Sequence, residues 1–176
     1  MSIRAFGGIH PDIHADSYVD NDAVIIVDVS LAKDVSVWPC VVIRGDVNHI
    51  RIGARTNIQD GSVLHVTHAS EFMGTTGIPL LIGEDVTVGH KATLHACTIG
   101  DRCLIGMGAI VLDNAVIEDE VMVAAGSVVT PGKVLKSGYL YVGNPANEKR
   151  SLNKSEIGFL KYSAENYVNL SKKMEQ

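Results

Sequence analysis

From residue 99 the chain reads IGDRCL (99–104), IGMGAI (105–110), VLDNAV (111–116), IEDEVM (117–122), VAAGSV (123–128) and VTPGKV (129–134). Each of these six hexads opens on an aliphatic residue: Ile99, Ile105, Val111, Ile117, Val123 and Val129. The fifth place is small or β-branched (Cys103, Ala109, Ala115, Val121, Ser127), with the last hexad slipped in register to Val134. The same phase runs upstream, where Ile25, Leu31, Val37 and Ile43 lead hexads with Val29, Val35, Val41 and Val47 in fifth place. It resumes at Ile52, Ile58 and Leu64 after three extra residues, and at Ile82, Val88 and Leu94 after a longer insertion. One residue is missing between Leu94 and Ile99.

A period of six is off the 3.6-residue grid of a helix. Simple alternation does not demand an aliphatic at every sixth position over so long a stretch. The pattern predicts a parallel β-solenoid in which each hexad is one short strand and one corner. The first position points into a narrow core, and the small fifth position lets the corner close. Three hexads make a triangular coil, and successive coils stack about 4.8 Å apart. The period does not fix handedness. Composition agrees with thin aliphatic layers: glycine is plentiful at 17 of 176 residues, and aromatics are only 5%.

The rest of the chain divides around the repeat. The β-helix spans 1–137, with a short N-terminal lead-in and a loop at 66–80. The segment 138–150, containing GYLYVGNP, reads as a linker. A helix is predicted over 151–176, capped by Ser151 or Asn153, with Ile157, Leu160, Ala164, Tyr167, Val168 and Met174 at roughly helical spacing. That stripe needs an apolar surface, and the side of the solenoid supplies one, so the whole is one structural domain. The net charge of −5, without any basic run, argues against nucleic acid. The N-terminus lacks the pattern of a signal peptide, and no apolar stretch approaches the ~20 residues of a membrane span. Cys40, Cys97 and Cys103 are widely spaced and odd in number, as expected of reduced thiols. A cytoplasmic protein is the expectation.

The repeat phase places two histidines together. His65 follows the core position Leu64 and His95 follows Leu94, so both point outward. Positions 64, 82, 88 and 94 are three hexad steps, one full coil. His65 and His95 should therefore stack about 4.8 Å apart on one face. By the same count Arg44 stands in that column one coil below. His90, two residues past Val88, falls on the neighbouring face near a corner. It could share a metal with His65 and His95 only if a second subunit packed its corner there, and a three-fold ring would close such contacts. Three neutral imidazoles and one open position are the pattern of a catalytic zinc. His10, His14 and His49 read as surface residues, whereas His68 is nearer the candidate site.

The stretches RGDVN (44–48), IGARTNIQDGSVLH (52–65), IGEDVTVGHKATLH (82–95) and IGMGAIVLD (105–113), with YSAENY in the tail, resemble the γ-class carbonic anhydrase family. The resemblance covers nearly the whole chain. It implies a left-handed β-helix of hexapeptide repeats and a homotrimer with zinc, or iron or cobalt, at each subunit interface. His65 and His95 match the ligands from one subunit, and His90 the ligand from its neighbour. Arg44 and Asp46 match a pair forming an intersubunit salt bridge. Gln59 matches the residue that orients a metal-bound hydroxide. Asn57 and Asp60 match its neighbours, Asp60 in the polar network of the interface. Tyr162 resembles a tail-helix tyrosine that reaches the pocket. The activity implied is reversible hydration of carbon dioxide to bicarbonate by zinc-bound hydroxide, with water or His68 carrying protons. One departure is the loop over 66–79, which holds a single acidic residue, Glu71, where prototype members carry an acidic, proton-shuttling loop. The chain thus resembles the subgroup lacking that loop. Two other functions suit hexapeptide proteins: an acyl- or acetyltransferase, and a metal-binding scaffold without catalysis. The first would use an interface histidine as general base, but it leaves three convergent histidines unexplained.

Overall fold

A computed structural model describes residues 2–72 and 74–174. Met1, Met73 and the last two positions of the predicted tail helix lie outside the described residues. The chain winds into a parallel β-solenoid of about eight turns with a single C-terminal helix. Its short strands stack into three faces. The first face carries segments 24–27 and 42–45, then Val63–His65, Thr93–His95, Ile110–Val111 and Val128–Val129. The second carries 29–31, 50–52, Leu80–Ile82, Thr98–Ile99, Val116–Ile117 and Val134–Leu135. The third runs from Tyr18–Val19 through Ser36–Val37, Asn57–Ile58, Thr87–Val88, Leu104–Ile105 and Met122–Val123 to Tyr139–Val142.

The hexad openers form the core. On the first face Ile25, Ile43, Leu64, Leu94, Val111 and Val129 stand in register and are fully buried. Many corners are tightened by non-glycine residues in the left-handed region. One stacked corner column holds Asp34, Arg55, Asp85, Arg102 and Glu120, all with φ between 51 and 59°. Their charges alternate, and Arg55 pairs with Asp85 at 2.6 Å and Arg102 with Glu120 at 3.1 Å.

The three extra residues between Ile43 and Ile52 form a bulge. Val27 pairs with Gly45 and Val29 with Ile50, so Asp28 alone opposes Asp46–His49. Gly45 is required here because a Cβ would lie 2.5 Å from the Asp28 carbonyl oxygen. The bulge corrects the sequence reading of Val47. The hexad count gives Val47 the fifth place, but it is 47% exposed, and Ile50 stands beside Val29 in that place, fully buried. The stretch read as a linker, 138–150, also differs. Tyr139–Val142 adds a parallel strand beside Met122–Val123, and Asn147–Ser151 turns back antiparallel. Tyr141, in register with Val123 and 3% exposed, fills the hexad's core position with an aromatic, so the aliphatic period ends there although the coil continues.

Helix α1 spans Lys154–Met174. Asn153 caps it: its Oδ1 accepts from the Glu156 N–H at 2.9 Å, and the Glu156 carboxylate accepts from the Asn153 N–H at 2.9 Å. The helix lies on the third face against Ser36–Val37, Asn57–Ile58 and Thr87–Val88. Leu160, Ser163, Ala164 and Ser171 are its buried residues, and Tyr167 stacks edge-on against Trp38.

Cys97 and Cys103 are buried in the core, and Cys40 is exposed. Burial pushes the Cys97 thiol far up and that of Cys103 up to about 12. Reactivity follows the thiolate, so a native chain is expected to react rapidly with a thiol reagent at Cys40 alone. Unfolded protein should release the other two. Fast labelling of all three thiols in the native state would contradict the buried assignment.

Candidate metal centre

His65 and His95 are brought together as the phase count requires. Leu64 pairs with Leu94 and His65 with His95 across parallel strands, while Arg44 pairs with His65 on the other side. The two rings stand 5.1 Å apart, and His65 Nδ1 faces His95 Nε2 at 3.1 Å. Each ring's far nitrogen meets a carboxylate. His65 Nε2 lies 3.1 Å from Asp46 Oδ1, and His95 Nδ1 lies 2.6 Å from Asp113 Oδ1. The other oxygens are also held: Arg44 donates to Asp46 Oδ2, and the Thr67 hydroxyl donates to Asp113 Oδ2. Asp46 comes from the bulge, whose extra residues carry it beside the histidine column.

This bracing fixes the proton positions. A carboxylate accepts, so each far nitrogen must donate, and in a neutral imidazole the remaining nitrogen is then a bare lone pair. Two such lone pairs face each other at 3.1 Å. They repel unless a cation, either a proton or a metal, lies between them. Tetrahedral zinc with Zn–N bonds of about 2.0–2.1 Å sets neighbouring nitrogens about 3.3 Å apart. The donor set therefore fits two ligands of one such metal, with carboxylate-braced imidazoles of the kind metal sites use.

Electrostatics hold both carboxylates charged and favour a neutral His65. Burial disfavours the Asp46 carboxylate, but hydrogen bonds from Arg44 and His65 outweigh it and hold the group below the usual range. At Asp113 burial again opposes ionisation, and Thr67 and His95 outweigh it. His65 is lowered, first by burial, against the pull of Asp46, with the charges of Arg44 and His95 pushing the same way as burial. These shifts share one sign. The unfolded chain takes up the His65 proton first, so its contribution is intact above about 6.5 and lost as pH falls below that. The two carboxylates contribute above about 3.9 and lose that contribution as pH falls through their depressed folded values. The melting temperature of metal-free protein is expected to fall steadily from pH 7 to pH 3. Asp113→Asn should flatten the lower part of that curve; a melting temperature that rises on acidification would count against the arrangement.

His90 lies elsewhere. It sits at the corner between the third and first faces, and its Nδ1 meets Asp60 Oδ2 at 2.8 Å. Among the described residues, no three His, Cys, Asp or Glu side chains of one chain converge to hold a metal. The histidines instead line two cavities. One, of about 860 Å³, is bordered by Val47, His65, His68, Glu71, Phe72, His95 and Asp113. The other, of about 420 Å³, lies between helix α1 and the third face, with Gln59 and His90 at one end and Met107, Met122, Leu140, Phe159 and Tyr167 along it.

Gln59 is nearly buried, and its Nε2 donates to Asn57 Oδ1 at 3.1 Å. Asn57 donates to Thr87 Oγ1, which meets Ser163 Oγ of helix α1 at 2.9 Å. Asn57 thus anchors Gln59 to the helix and does not itself border either cavity. Tyr162 is 60% exposed, packs on Phe159 and borders neither cavity; Tyr167 takes the place on the wall. Arg44 and Asp46 pair within one chain. Sequence reasoning did not single out Asp113 or Thr67. Asp113 carried a usable signal: Val111 pairs with Leu94 and the corners realign at Ala96 and Asn114, so the turn that is one residue shorter sets His95 against both Leu112 and Asp113.

Fold and site together define a hexapeptide-repeat β-solenoid with a braced histidine pair on one face and a third histidine on the adjoining corner. A family described as bacterial transferase hexapeptide (six repeats) matches residues 96–131. The chain is 56% identical over 166 residues to Protein YrdA of Escherichia coli (strain K12), covering 94% of this chain and 90% of that one. It is 47% identical to a protein of Methanocaldococcus jannaschii named "Probable carbonic anhydrase", with coverage of 87% and 91%. It is 43% identical to mitochondrial Gamma carbonic anhydrase 2 of Arabidopsis thaliana, covering 92% of this chain and 57% of that one. A solved hexapeptide transferase family protein from Anaplasma phagocytophilum superposes with a TM-score of 0.90 at 42% identity, covering 97% of this chain and 96% of that one. The chain belongs to the γ-class carbonic anhydrase-like family of hexapeptide-repeat proteins. No helix among the described residues is long and apolar enough to cross a membrane.

Proposed function

We propose that the chain catalyses metal-dependent, reversible hydration of carbon dioxide to bicarbonate, at sites shared between copies in a homotrimer. The observation that carries this reading is the braced pair: two imidazole nitrogens 3.1 Å apart, each with a carboxylate behind it. His65 and His95 of one copy and His90 of the next would hold zinc, or iron or cobalt. A metal so bound lowers the pKa of water to about 7 and makes a strong nucleophile available near neutral pH.

The remaining work falls to the chain's own groups. Asp46 and Asp113 keep both imidazoles in the donor tautomer. Gln59, whose amide N–H is committed to Asn57, leaves Oε1 free to accept from the attacking water and orient it. His68 and Glu71, at the rim of the larger cavity, stand where protons can pass to solvent. Arg44 keeps Asp46 ionised. Asp60 orients His90 as the other carboxylates orient their partners.

The sharing between copies is supported by the surface around the pair. Beside the histidine column, Val24, Val42, Val63, Thr93, Ile110 and Val128 stand in register as an outward ladder along the first face. Val63 is 43% and Ile110 36% exposed. A flat apolar strip of this kind flanking polar groups marks an interface. Stopped-flow hydration by zinc-, iron- and cobalt-loaded protein tests the activity. A metal-dependent rate above buffer is expected; no rate in any metal form would overturn catalysis and leave a metal-binding scaffold. An acyltransferase reading draws on the likeness to a hexapeptide transferase family protein and on the apolar cavity beside His90. Calorimetric binding of acetyl-CoA would favour it.

A further inference from the structure

We infer that Phe72 of one copy seats in the apolar groove beside His90 of the next, so that the loop over 66–79 clasps adjacent copies together. This rests on the shared-site reading above and goes beyond it in naming what fills the groove. Phe72 is 84% exposed, the highest value among the large apolar side chains described. A ring held so far into water is costly without a partner surface. It borders the same cavity as His65 and His95. The groove of about 420 Å³ borders His90, and its wall of Met107, Met122, Leu140 and Phe159 is apolar. Thioethers and an aromatic ring suit a phenyl guest.

The levels match. The Thr67 hydroxyl ties the base of the loop to Asp113, one turn above His95, and Asn48 of the turn below His65 holds the Thr67 and Thr76 carbonyls, so the loop stands at the height of the histidine pair. From His90 the wall climbs from that same height. Gly108 N–H bonds to the His90 carbonyl, placing Met107 one turn up, and Met122 stands a turn higher beside Leu104. In a three-fold ring with its axis along the solenoids, joining His90 of one copy to His65 and His95 of the other sets the loop of one against the Met107–Met122 wall of the other.

The test uses the full-length chain with Cys40→Ser, so that no exposed native thiol remains. Phe72→Cys and Met107→Cys are added together and treated with bismaleimidoethane, with native mass and metal content measured in parallel. Covalently linked chains, absent from either single-cysteine variant, are expected. A particle of trimer mass with full metal but no cross-link would overturn the clasp and leave the shared site standing. A monomer would overturn both. As an independent readout, Phe72→Ala should keep mass and metal while raising the fluorescence of bound 8-anilinonaphthalene-1-sulfonate severalfold. Equal, strong dye binding by the unsubstituted protein would overturn the clasp and assign the groove to the apolar part of a small-molecule substrate.

Discussion

Replacing His95 by alanine is expected to weaken zinc binding by more than about a hundredfold, with little effect on the melting temperature of the metal-free chain. Loss of a group that merely orients a ligand typically costs 10–100-fold in metal affinity, and loss of a ligand itself should exceed that. The imidazole is the ligand on the His95 side of the pair, and Asp113 behind it is already committed to Thr67. The metal-free fold should barely notice. His95 points outward at 32% side-chain exposure, while the core beneath it is supplied by the fully buried Leu94. Removing it even relieves the facing lone pairs. Asp113→Asn provides the graded comparison. Its amide can still bond His95, but it removes the charge that favours the N–H on Nδ1, so a loss of about 10–100-fold is expected. Competition with a chromophoric chelator measures both. Unchanged zinc affinity in His95→Ala would remove the pair from the site.

The largest effect on stability is expected from one methyl group placed between two turns. A Cβ on Gly106 would lie 2.4 Å from the Ala125 nitrogen and 2.6 Å from the Ala124 carbonyl carbon. Both are backbone atoms of the turn above, and that turn is held in place by the 2.8 Å bond from Gly106 N–H to the Val123 carbonyl. Neither side can rotate away, so Gly106→Ala should destabilise by about 3 kcal/mol, the upper end for overpacking. Gly108→Ala, two residues along, is the control. Its φ is +67°, but a Cβ there meets nothing within 4 Å. The cost should be about 1 kcal/mol, that of one left-handed alanine. Lys91 and Cys40 already adopt this conformation at the same corner of lower turns, with φ of 57° and 60°. Urea unfolding gives both values. A Gly108→Ala loss exceeding that of Gly106→Ala would contradict the stacking account.

These expectations show where the chain speaks plainly and where it does not. The solenoid was legible because its core position recurs as an aliphatic whatever the corner holds. The alignment of Arg44, His65 and His95 was legible for the same reason, since counting hexads from Ile43 to Leu64 to Leu94 is counting turns. The reading failed where that rule is relaxed. Val47 sits in a bulge, whose extra residues have no place in the period. Tyr141 is a core residue of the wrong chemical type for the pattern. The loop over 66–79 is held by particular contacts, such as Asn48 Nδ2 on the Thr76 carbonyl, that no period announces. At the site, the sequence gives the ligand column but not its bracing. Asp113 is found by stacking, Asp46 by the bulge, and the link from Gln59 through Asn57 and Thr87 to Ser163 only once helix α1 is in place.

The central claim is that one copy supplies His65 and His95 and another His90 to the same metal, and mixing two defective chains tests it most directly. A His90→Ala chain keeps the pair, and a His95→Ala chain keeps the lone histidine; each alone should bind almost no zinc. Unfolded together and refolded, they rebuild an intact site wherever a His90→Ala chain's pair meets a His95→Ala chain's His90. Random three-fold rings would hold about one zinc per four chains. That recovery in the mixture, absent from either chain refolded alone, is the result predicted. Zinc content no greater than the sum of the separate chains, in particles that had exchanged subunits, would contradict the shared site.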